Sequence, residues 1–200
     1  MVSERGAKCD TGPTGEKQIA MALTATLHHF AIELSDVDRQ IYETLDLRVA
    51  QHPSETMEHV LARTLGYCLC YQDGIAFSKG LSTQDEPAAF VKDPGGAYQL
   101  WMDVGAPSAE RLHKANKAAR RVVVFAHQDP SVYLQRLAGA TIHRSSEIEL
   151  YALCPQLIRE LVPRIERRSQ FALVHTEGSL YVTLDGQSFS GTITRHLLGE

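Results

Sequence analysis

The chain has 200 residues, of which 44% are hydrophobic and 22% are charged, and its formal net charge at pH 7 is −4. This composition supports a buried core, excludes a disordered chain, and argues against tight binding of nucleic acid through an overall positive charge. No apolar run approaches the ~20 residues of a membrane span, and the first residues lack the apolar stretch of a signal peptide. We therefore expect a cytoplasmic, monomeric protein without a membrane partner, on which any basic surface is local.

The start of the chain predicts a flexible extension followed by two strands. Residues 1–20 are polar and contain several glycines, and the folded domain is expected to cover residues 21–200. From Leu23 to Leu34 and again from Leu45 to Val49, apolar and polar residues alternate. This period of two is typical of half-buried strands.

The clearest predicted helix covers residues 52–71, with Ser54 as its N-cap and a continuous apolar stripe. At about 100° per residue, Glu58 lies at the margin of this stripe, where the helix would meet a sheet. Glu55 points farther from the stripe in the first turn. Both glutamates also suit the positive end of the helix dipole, so a structural role competes with a functional one.

Acidic residues lie at the ends of the short strands that are predicted after this helix. Asp85 and Glu86 are adjacent before Pro87, and Asp103 ends an apolar strand just before Gly105. Catalytic carboxylates usually reach a cleft from such strand ends. A solvated turn explains the pair at 85 and 86 at least as well.

A second helix is predicted directly after this strand, and it carries a basic face. Lys114, Lys117 and Arg121 share that face with Glu110. Charged faces of this kind usually form a solvated surface. Lys114, however, is close enough in the chain to Asp103 for its long side chain to reach back to the strand end.

The rest of the chain alternates between strands and helices. The predicted elements are a strand at 121–126, a helix near 130–138, a strand at 148–153 and a helix at 155–168. Hairpin turns at Glu177-Gly178 and Asp185-Gly186 then predict three antiparallel strands within residues 170–198. We expect these strands to pair with those of residues 21–50, so that both ends form one β-rich lobe around an α/β core of residues 51–168.

Five stretches of the chain carry a resemblance to known proteins: MALTATLHHFAIELSDVDRQIY, HPSETMEHVLARTLGYCL, KGLSTQDEP, LWMDVGAP and KANKAARRVVVF. In this order, and over essentially all of residues 21–198, they resemble the YaeQ family of small bacterial proteins. The resemblance implies a mixed α/β (α+β) fold with a divergent PD-(D/E)xK, restriction-endonuclease-like core and an additional antiparallel β lobe. The order of that core, a helix, a β-meander, a second helix and a strand, matches the elements predicted for residues 54–126.

The resemblance also implies a site that combines the acids described above. The helix glutamate of the nuclease-like fold matches Glu58, with Glu55 as the alternative. The acid of the meander matches Asp85 or Glu86, and the acid of the (D/E)xK motif matches Asp103. In such a site Asp103 and Asp85 or Glu86 would hold Mg²⁺ or Mn²⁺, with assistance from Glu58.

The chain departs from the motif of the nuclease-like fold at two positions. Gly105 stands where the motif has its lysine, and Ala88 stands where a literal PD motif would have aspartate. Lys114 on the second helix resembles a migrated substitute for the lysine, with Lys117 as an alternate. The role implied for Lys114 is to position the attacking water.

Four further residues are predicted to contact a substrate, namely His52, Trp101, Arg111 and Arg121. His52 precedes the first helix and either faces the same cleft or supports the helix start. Trp101 shares a strand face with Asp103, where it either stacks on a base or fills the core.

Two hypotheses about function follow. The first is a metal-dependent nuclease-like phosphodiesterase that acts on DNA or RNA. The second is a non-catalytic protein of the same fold that binds nucleic acid through the basic helix face, or binds a protein, for instance in transcription. The missing lysine and the negative net charge favour the second hypothesis. A small-molecule α/β enzyme ranks below both, because the chain has no GxGxxG, P-loop or GxSxG motif.

Overall fold

The structure, a computed structural model, describes residues 25–78 and 86–198. The predicted extension at 1–20 and the predicted acid Asp85 lie outside these residues. The described part of the chain combines one ten-stranded sheet with four α-helices, so the predicted mixed α+β class is confirmed. Among these helices none is both long enough and apolar enough to cross a membrane.

The elements follow one another in this order: β1 (Thr26–Asp36), β2 (Ile41–Gln51), α1 (Met57–Leu69), β3 (Ala76–Phe77), β4 (Ala89–Lys92), β5 (Tyr98–Val104), α2 (Ala109–Ala118), β6 (Ala119–Ala126), α3 (Ser131–Ala138), β7 (Glu149–Leu153), α4 (Pro155–Leu161), β8 (Arg168–Thr176), β9 (Ser179–Leu184) and β10 (Gln187–Leu197). The order across the sheet is β2-β1-β8-β9-β10-β7-β6-β5-β4-β3. β1 is parallel to β8, and β5, β6 and β7 are parallel to one another, whereas the other pairs are antiparallel.

Strand β10 joins the predicted β-rich lobe to the predicted core. Its first half, Gln187–Thr192, pairs with β9, and its second half, Ile193–Leu197, pairs with β7. The two hairpin turns predicted from the sequence are confirmed on either side of β9. Glu177 and Asp185 adopt the left-handed backbone there, with φ of 47° and 51°. The lobe and the core therefore share one continuous sheet.

Two helix boundaries differ from the prediction. α1 begins at Met57, and its N-cap is Thr56, whose side chain accepts a hydrogen bond from the backbone N–H of His59. The predicted cap, Ser54, instead bonds the side chain of His52. The last predicted helix ends at Leu161 and continues as a short 3₁₀ turn, because Pro163 has no N–H to extend the α-helical ladder.

The sheet buries side chains on both faces, and α1 and α2 cover opposite faces of β5. Leu100 and Met102 of β5 belong to the core cluster that includes the buried residues of α1. Trp101 belongs to a second cluster that includes Leu112 of α2. Because strand side chains alternate, Asp103 lies on the α2 side with Trp101.

Gly191 in β10 allows α4 to pack directly on the sheet. A Cβ at this position would lie 2.7 Å from the Cβ of Cys154 and 2.8 Å from the Cβ of Leu157. Real Cβ atoms do not approach this closely. The absence of a side chain at 191 therefore sets the distance between β10 and α4.

We expect Gly191→Ala to lower the free energy of unfolding by about 1–3 kcal/mol, because α4 has to move away from β10. Urea denaturation followed by circular dichroism measures this loss. Gly139→Ala is the matched control, since no atom lies within 4 Å of its added Cβ and its φ is −98°. An unchanged midpoint in Gly191→Ala would contradict the close approach of α4.

Candidate functional site

The carboxyl ends of the parallel strands β5, β6 and β7 meet at one edge of the sheet, which is where α/β sheets usually bind ligands. A cleft of about 660 Å³ lies at this edge, between the start of α1, the loop after β6 and the start of α4. Its lining includes Glu58, His127, Asp129 and Arg159. Glu58 thus lies at a cleft, and it is half-buried.

Charged hydrogen bonds connect Glu55, just before α1, with His59 and Arg63 on that helix. The Nδ1 of His59 lies 2.7 Å from Oε1 of Glu55, and Nη2 of Arg63 donates to Oε2 of Glu55 at 3.0 Å. Arg63 also donates to the carbonyl of Ala50 at 2.7 Å. Burial raises the pKa of Glu55, but the hydrogen bond from His59 and the charge of Arg63 outweigh it, so the net pKa is lowered. Glu55 is therefore an ionised carboxylate that orients His59.

His59 and His127 lie next to each other beside Gly105. The planes of the two rings are nearly perpendicular, at an angle of 88°, and the ring centroids are 5.7 Å apart. Gly105 has φ of +86°, and a Cβ there would lie 3.8 Å from Nε2 of His59. The Nδ1 of His127 is buried and has no hydrogen-bond partner among the described residues. Burial, and to a smaller extent the charge of His59, lower the pKa of His127.

Sequence reasoning did not single out this histidine pair. His59 and Arg63 are four residues apart and share one side of α1, and Glu55 lies four residues before His59, so this signal was present in the sequence. His127 directly follows the apolar run that forms β6, at the edge where strand ends meet. Nothing in the spacing of the two histidines indicated that they would be neighbours.

Asp103 lies at the other face of β5 and is bound by Arg111. Nη2 of Arg111 donates to Oδ1 at 2.6 Å, and Nε donates to Oδ2 at 2.7 Å. The indole N–H of Trp101 donates to the same Oδ2 at 3.1 Å. Asp103 is only 2% exposed, so this bidentate pair compensates a buried charge. Arg111 also donates to the backbone carbonyl of Glu86 at 2.7 Å, which places the backbone of Glu86 near the end of β5.

The other predicted catalytic residues are distributed over separate surfaces. Lys114 pairs with Glu110 at 3.2 Å on the exposed face of α2, and Lys117 is exposed farther along that helix. Glu58 belongs to α1, which packs on the opposite face of β5 from Asp103. The structure therefore joins Asp103 to the backbone of Glu86 and leaves Glu58 and Lys114 apart from them.

Three of the residues that were predicted to contact a substrate form internal interactions. The Nδ1 of His52 lies 2.7 Å from the hydroxyl oxygen of Ser54. Trp101 is buried in the core, as one of the two interpretations of its position expected. Arg121 forms a bidentate pair with Glu149, at 2.6 and 3.1 Å, which raises the pKa of Arg121. The burial of Trp101 and the pairing of His52 and Arg121 account for these side chains without a substrate.

A second buried charge lies at the far end of α1 and has a structural role. Asp36 is fully buried, and its carboxylate accepts from Nε of Arg39 at 2.6 Å and from Nδ1 of His175 at 3.1 Å. Arg39 also donates to the carbonyls of Cys68 and Tyr71 at the carboxyl end of α1. Burial raises the pKa of Asp36, but the bonds from Arg39 and His175 lower it overall. This cluster connects the carboxyl end of α1 to the ends of β1 and β8.

Within residues 25–78 and 86–198, no three side chains of His, Cys, Asp or Glu are already arranged to enclose a metal ion. The described part of the site thus consists of one buried carboxylate paired with an arginine and, across the strand, a histidine pair oriented by a carboxylate. The class that fold and site define is an α+β protein with a polar cleft at the carboxyl edge of a mixed sheet.

Comparison with known proteins identifies the family. The family model described as YaeQ protein matches residues 21–193. The chain therefore belongs to the YaeQ family, which confirms the resemblance seen in the sequence.

Two relatives are about one third identical to this chain over 107 aligned residues. "Uncharacterized protein YaeQ" of Salmonella typhi is 35% identical over 107 residues, which is 54% of this chain and 59% of that protein. Its counterpart in Escherichia coli (strain K12) is 33% identical over the same length. The match thus spans less than two thirds of either relative.

Two solved structures share the fold. The crystal structure of YaeQ protein from Xanthomonas axonopodis pv. citri has a TM-score of 0.80 and 31% identity, and the match covers 87% of this chain and 99% of that one. YaeQ protein from Pseudomonas syringae has a TM-score of 0.77 and 28% identity, over 88% of this chain and 97% of that one.

Proposed function

We propose that this chain is a nuclease-like phosphodiesterase that acts on DNA or RNA with Mg²⁺ or Mn²⁺. The observation that carries the proposal is the contact of Arg111 with both the carboxylate of Asp103 and the carbonyl of Glu86. Two segments whose acids the PD-(D/E)xK pattern would combine are thus adjacent at the end of β5. Asp103 is a buried carboxylate whose charge is now balanced by the guanidinium of Arg111, and in this proposal the metal cation takes the place of that guanidinium.

In this proposal the ligands of the cation are Asp103 and Asp85 or Glu86. Glu58 lies across β5 from Asp103, and its alternate Glu55 is paired with His59 and Arg63, so neither belongs to this cation site. A bound Mg²⁺ or Mn²⁺ would lower the pKa of a water molecule and offset charge on the phosphate. Arg111 would leave Asp103 and become available to the phosphate of the substrate.

Lys114 is proposed to position the water, with Lys117 as its alternate. The ammonium of Lys114 now bonds Glu110, but both side chains are well exposed, at 64% and 78%. Exposed pairs of this kind stabilise a protein by less than about 1 kcal/mol. The lysine can therefore exchange Glu110 for a phosphate group at small cost.

One observation favours a second function, non-catalytic binding of nucleic acid or of a protein. Both oxygens of Asp103 are bound by Arg111, and Trp101 adds a third hydrogen bond. A carboxylate that is satisfied in this way can be purely structural. In that case the exposed basic face of α2, with Lys114 and Lys117, would contact the nucleic acid backbone, for instance during transcription.

Cleavage assays separate the two functions. Purified protein with Mg²⁺ or Mn²⁺ should cleave at least one substrate among single- and double-stranded DNA and RNA. Asp103→Asn and Lys114→Ala should each reduce cleavage by about 100-fold or more, because a cation ligand or a water-positioning group is lost. Lys92→Ala, which removes a charge on β4, is the matched control and should cleave normally.

Absence of cleavage by the parent protein would refute the enzyme for those substrates. Fluorescence anisotropy with the same DNA and RNA then tests the second function. In that case Lys114→Ala should weaken binding, with a smaller salt dependence, whereas Asp103→Asn should not. If the parent neither cleaves nor binds these nucleic acids, both forms of the proposal fail and a protein partner remains.

A further inference from the structure

The ring of His59 is held in a fixed orientation by Glu55. Because a carboxylate can only accept, the Nδ1 that lies 2.7 Å from Glu55 carries the proton, and Nε2 of the neutral ring keeps its lone pair. That Nε2 lies near Gly105, where an added Cβ would be 3.8 Å away from it. Arg63 in turn holds Glu55. A carboxylate that binds one ring nitrogen and leaves the other nitrogen to the ion is the arrangement that orients metal-binding histidines in proteins.

His127 supplies a second nitrogen that lacks a partner. Its Nδ1 is buried and makes no hydrogen bond with any described residue. Leaving such a group unpaired costs roughly 1–3 kcal/mol, and a bound water or ion is the usual explanation.

The separation of the two rings suits a shared ion. Their centroids are 5.7 Å apart and the rings are nearly perpendicular. Two imidazoles bound to one tetrahedral ion, with metal–nitrogen bonds of about 2.0–2.1 Å, place their centroids roughly 5–6 Å apart. The separation of the two rings is therefore compatible with one shared ion.

The charge around the pair also favours a cation. Glu58 and Asp129 line the same cleft, against one arginine, Arg159, in that lining. The carboxylate of Glu58 is close enough to His127 for the two side chains to interact electrostatically. A cleft with this lining attracts a divalent cation more than an anion, and imidazole nitrogen favours ions of the transition series.

We infer that His59 and His127 form a binding site for a divalent transition-metal ion such as Zn²⁺, Co²⁺ or Ni²⁺, with Glu55 as a positioning residue. Since no third protein ligand is already in place among the described residues, water completes the coordination and the ion is exchangeable. The site differs from the proposed oxygen-ligated Mg²⁺ site at Asp103, because imidazole prefers zinc, nickel and copper, whereas magnesium prefers oxygen.

Titration of the untagged, chelator-treated full chain with Zn²⁺, followed by NMR of the histidine rings, tests the site in the unaltered protein. The ring signals of His59 and His127 should change first, at about one equivalent. The chain offers an internal control in His113 and His143, whose rings also stand edge to face, at 6.3 Å. The Nδ1 of His113 is already bound by the backbone N–H of His143, so this pair should not respond first.

Calorimetry with Co²⁺ and variants supplies the second measurement. His59→Gln and His127→Gln should each weaken binding by at least about 10-fold, Glu55→Gln by about 10- to 100-fold, and His113→Gln should leave it unchanged. The inference is overturned if other histidines respond to Zn²⁺ first, or if the His59→Gln/His127→Gln double variant binds Co²⁺ as well as the parent. Both readouts measure binding alone, so they stand whether or not the protein cleaves nucleic acid.

Discussion

Replacing Arg63 with Met should lower the free energy of unfolding by about 3–5 kcal/mol, because it leaves a buried carboxylate without its cation. Arg63 is 6% exposed, and the side chain of its partner Glu55 is 11% exposed. The same arginine satisfies the carbonyl of Ala50 at the end of β2. Its removal therefore breaks the hydrogen bond between α1 and the end of β2. It also leaves the buried carboxylate of Glu55 without its arginine partner.

Urea denaturation at pH 7 measures this loss, and the double variant Glu55→Gln/Arg63→Met is the matched control. The double variant should be more stable than Arg63→Met, since it carries no unpaired charge. The pH dependence gives a second signature. The folded-state pKa of Glu55 is lowered in the parent, so its contribution is complete at neutral pH and is lost as the pH falls through that value.

In Arg63→Met the carboxyl of Glu55 can protonate at acid pH, which removes the unpaired charge. The difference in stability between parent and Arg63→Met should therefore be largest near pH 7 and smaller near about pH 4. A difference that is the same at both values would show that Arg63 acts through packing alone.

Replacing Arg111 with Met should lower the free energy of unfolding by about 3 kcal/mol. Asp103 would then keep a buried negative charge, with only the hydrogen bond from the indole of Trp101 to stabilise it. The side chain of Arg111 is 22% exposed, so water can reach part of the site and the loss should be smaller than for Arg63. Thermal unfolding of Arg111→Met and of the parent, both without divalent ions, measures this loss of stability.

The same variant tests whether Asp103 can bind a cation. If Arg111 occupies the position of a cation, Mg²⁺ or Mn²⁺ should restore a large part of the lost stability in Arg111→Met by mass action. Arg121→Met is the matched control, since it breaks another bidentate pair, with Glu149, at a more exposed position. Equal effects of Mg²⁺ on both variants, or none on either, would argue that Asp103 has a structural role only.

The sequence predicted the local elements well where the physical signal was local. The alternating runs around the turns at Glu177 and Asp185 became β8, β9 and β10, because a left-handed residue before glycine closes a tight hairpin. The continuous apolar run at 121–126 became β6, which is buried on both faces. The start of α1 was placed too early, since Ser54 and Thr56 are equally good caps by residue type.

The candidate site was only partly predictable. Nothing local indicated that Arg111 would bind Asp103, although both were singled out separately. Lys114 and Arg111 lie on the same helix three residues apart, and residue type alone did not show which of them would reach the buried strand end. Arg111 fits because its planar guanidinium binds both carboxylate oxygens at once, whereas the exposed lysine finds Glu110 one turn away.

The amino-acid sequence by itself determined the family, the alternation of strands and helices, the hairpins and the acids that stand at strand ends, because each depends on residues close together in the chain. The tertiary structure alone decided that β10 joins both halves of the sheet, that Asp103 and Glu58 face different sides, and that His59 meets His127 beside Gly105. These features depend on which face of each strand is covered by which helix. Packing between distant segments sets that choice, and no local pattern encodes it.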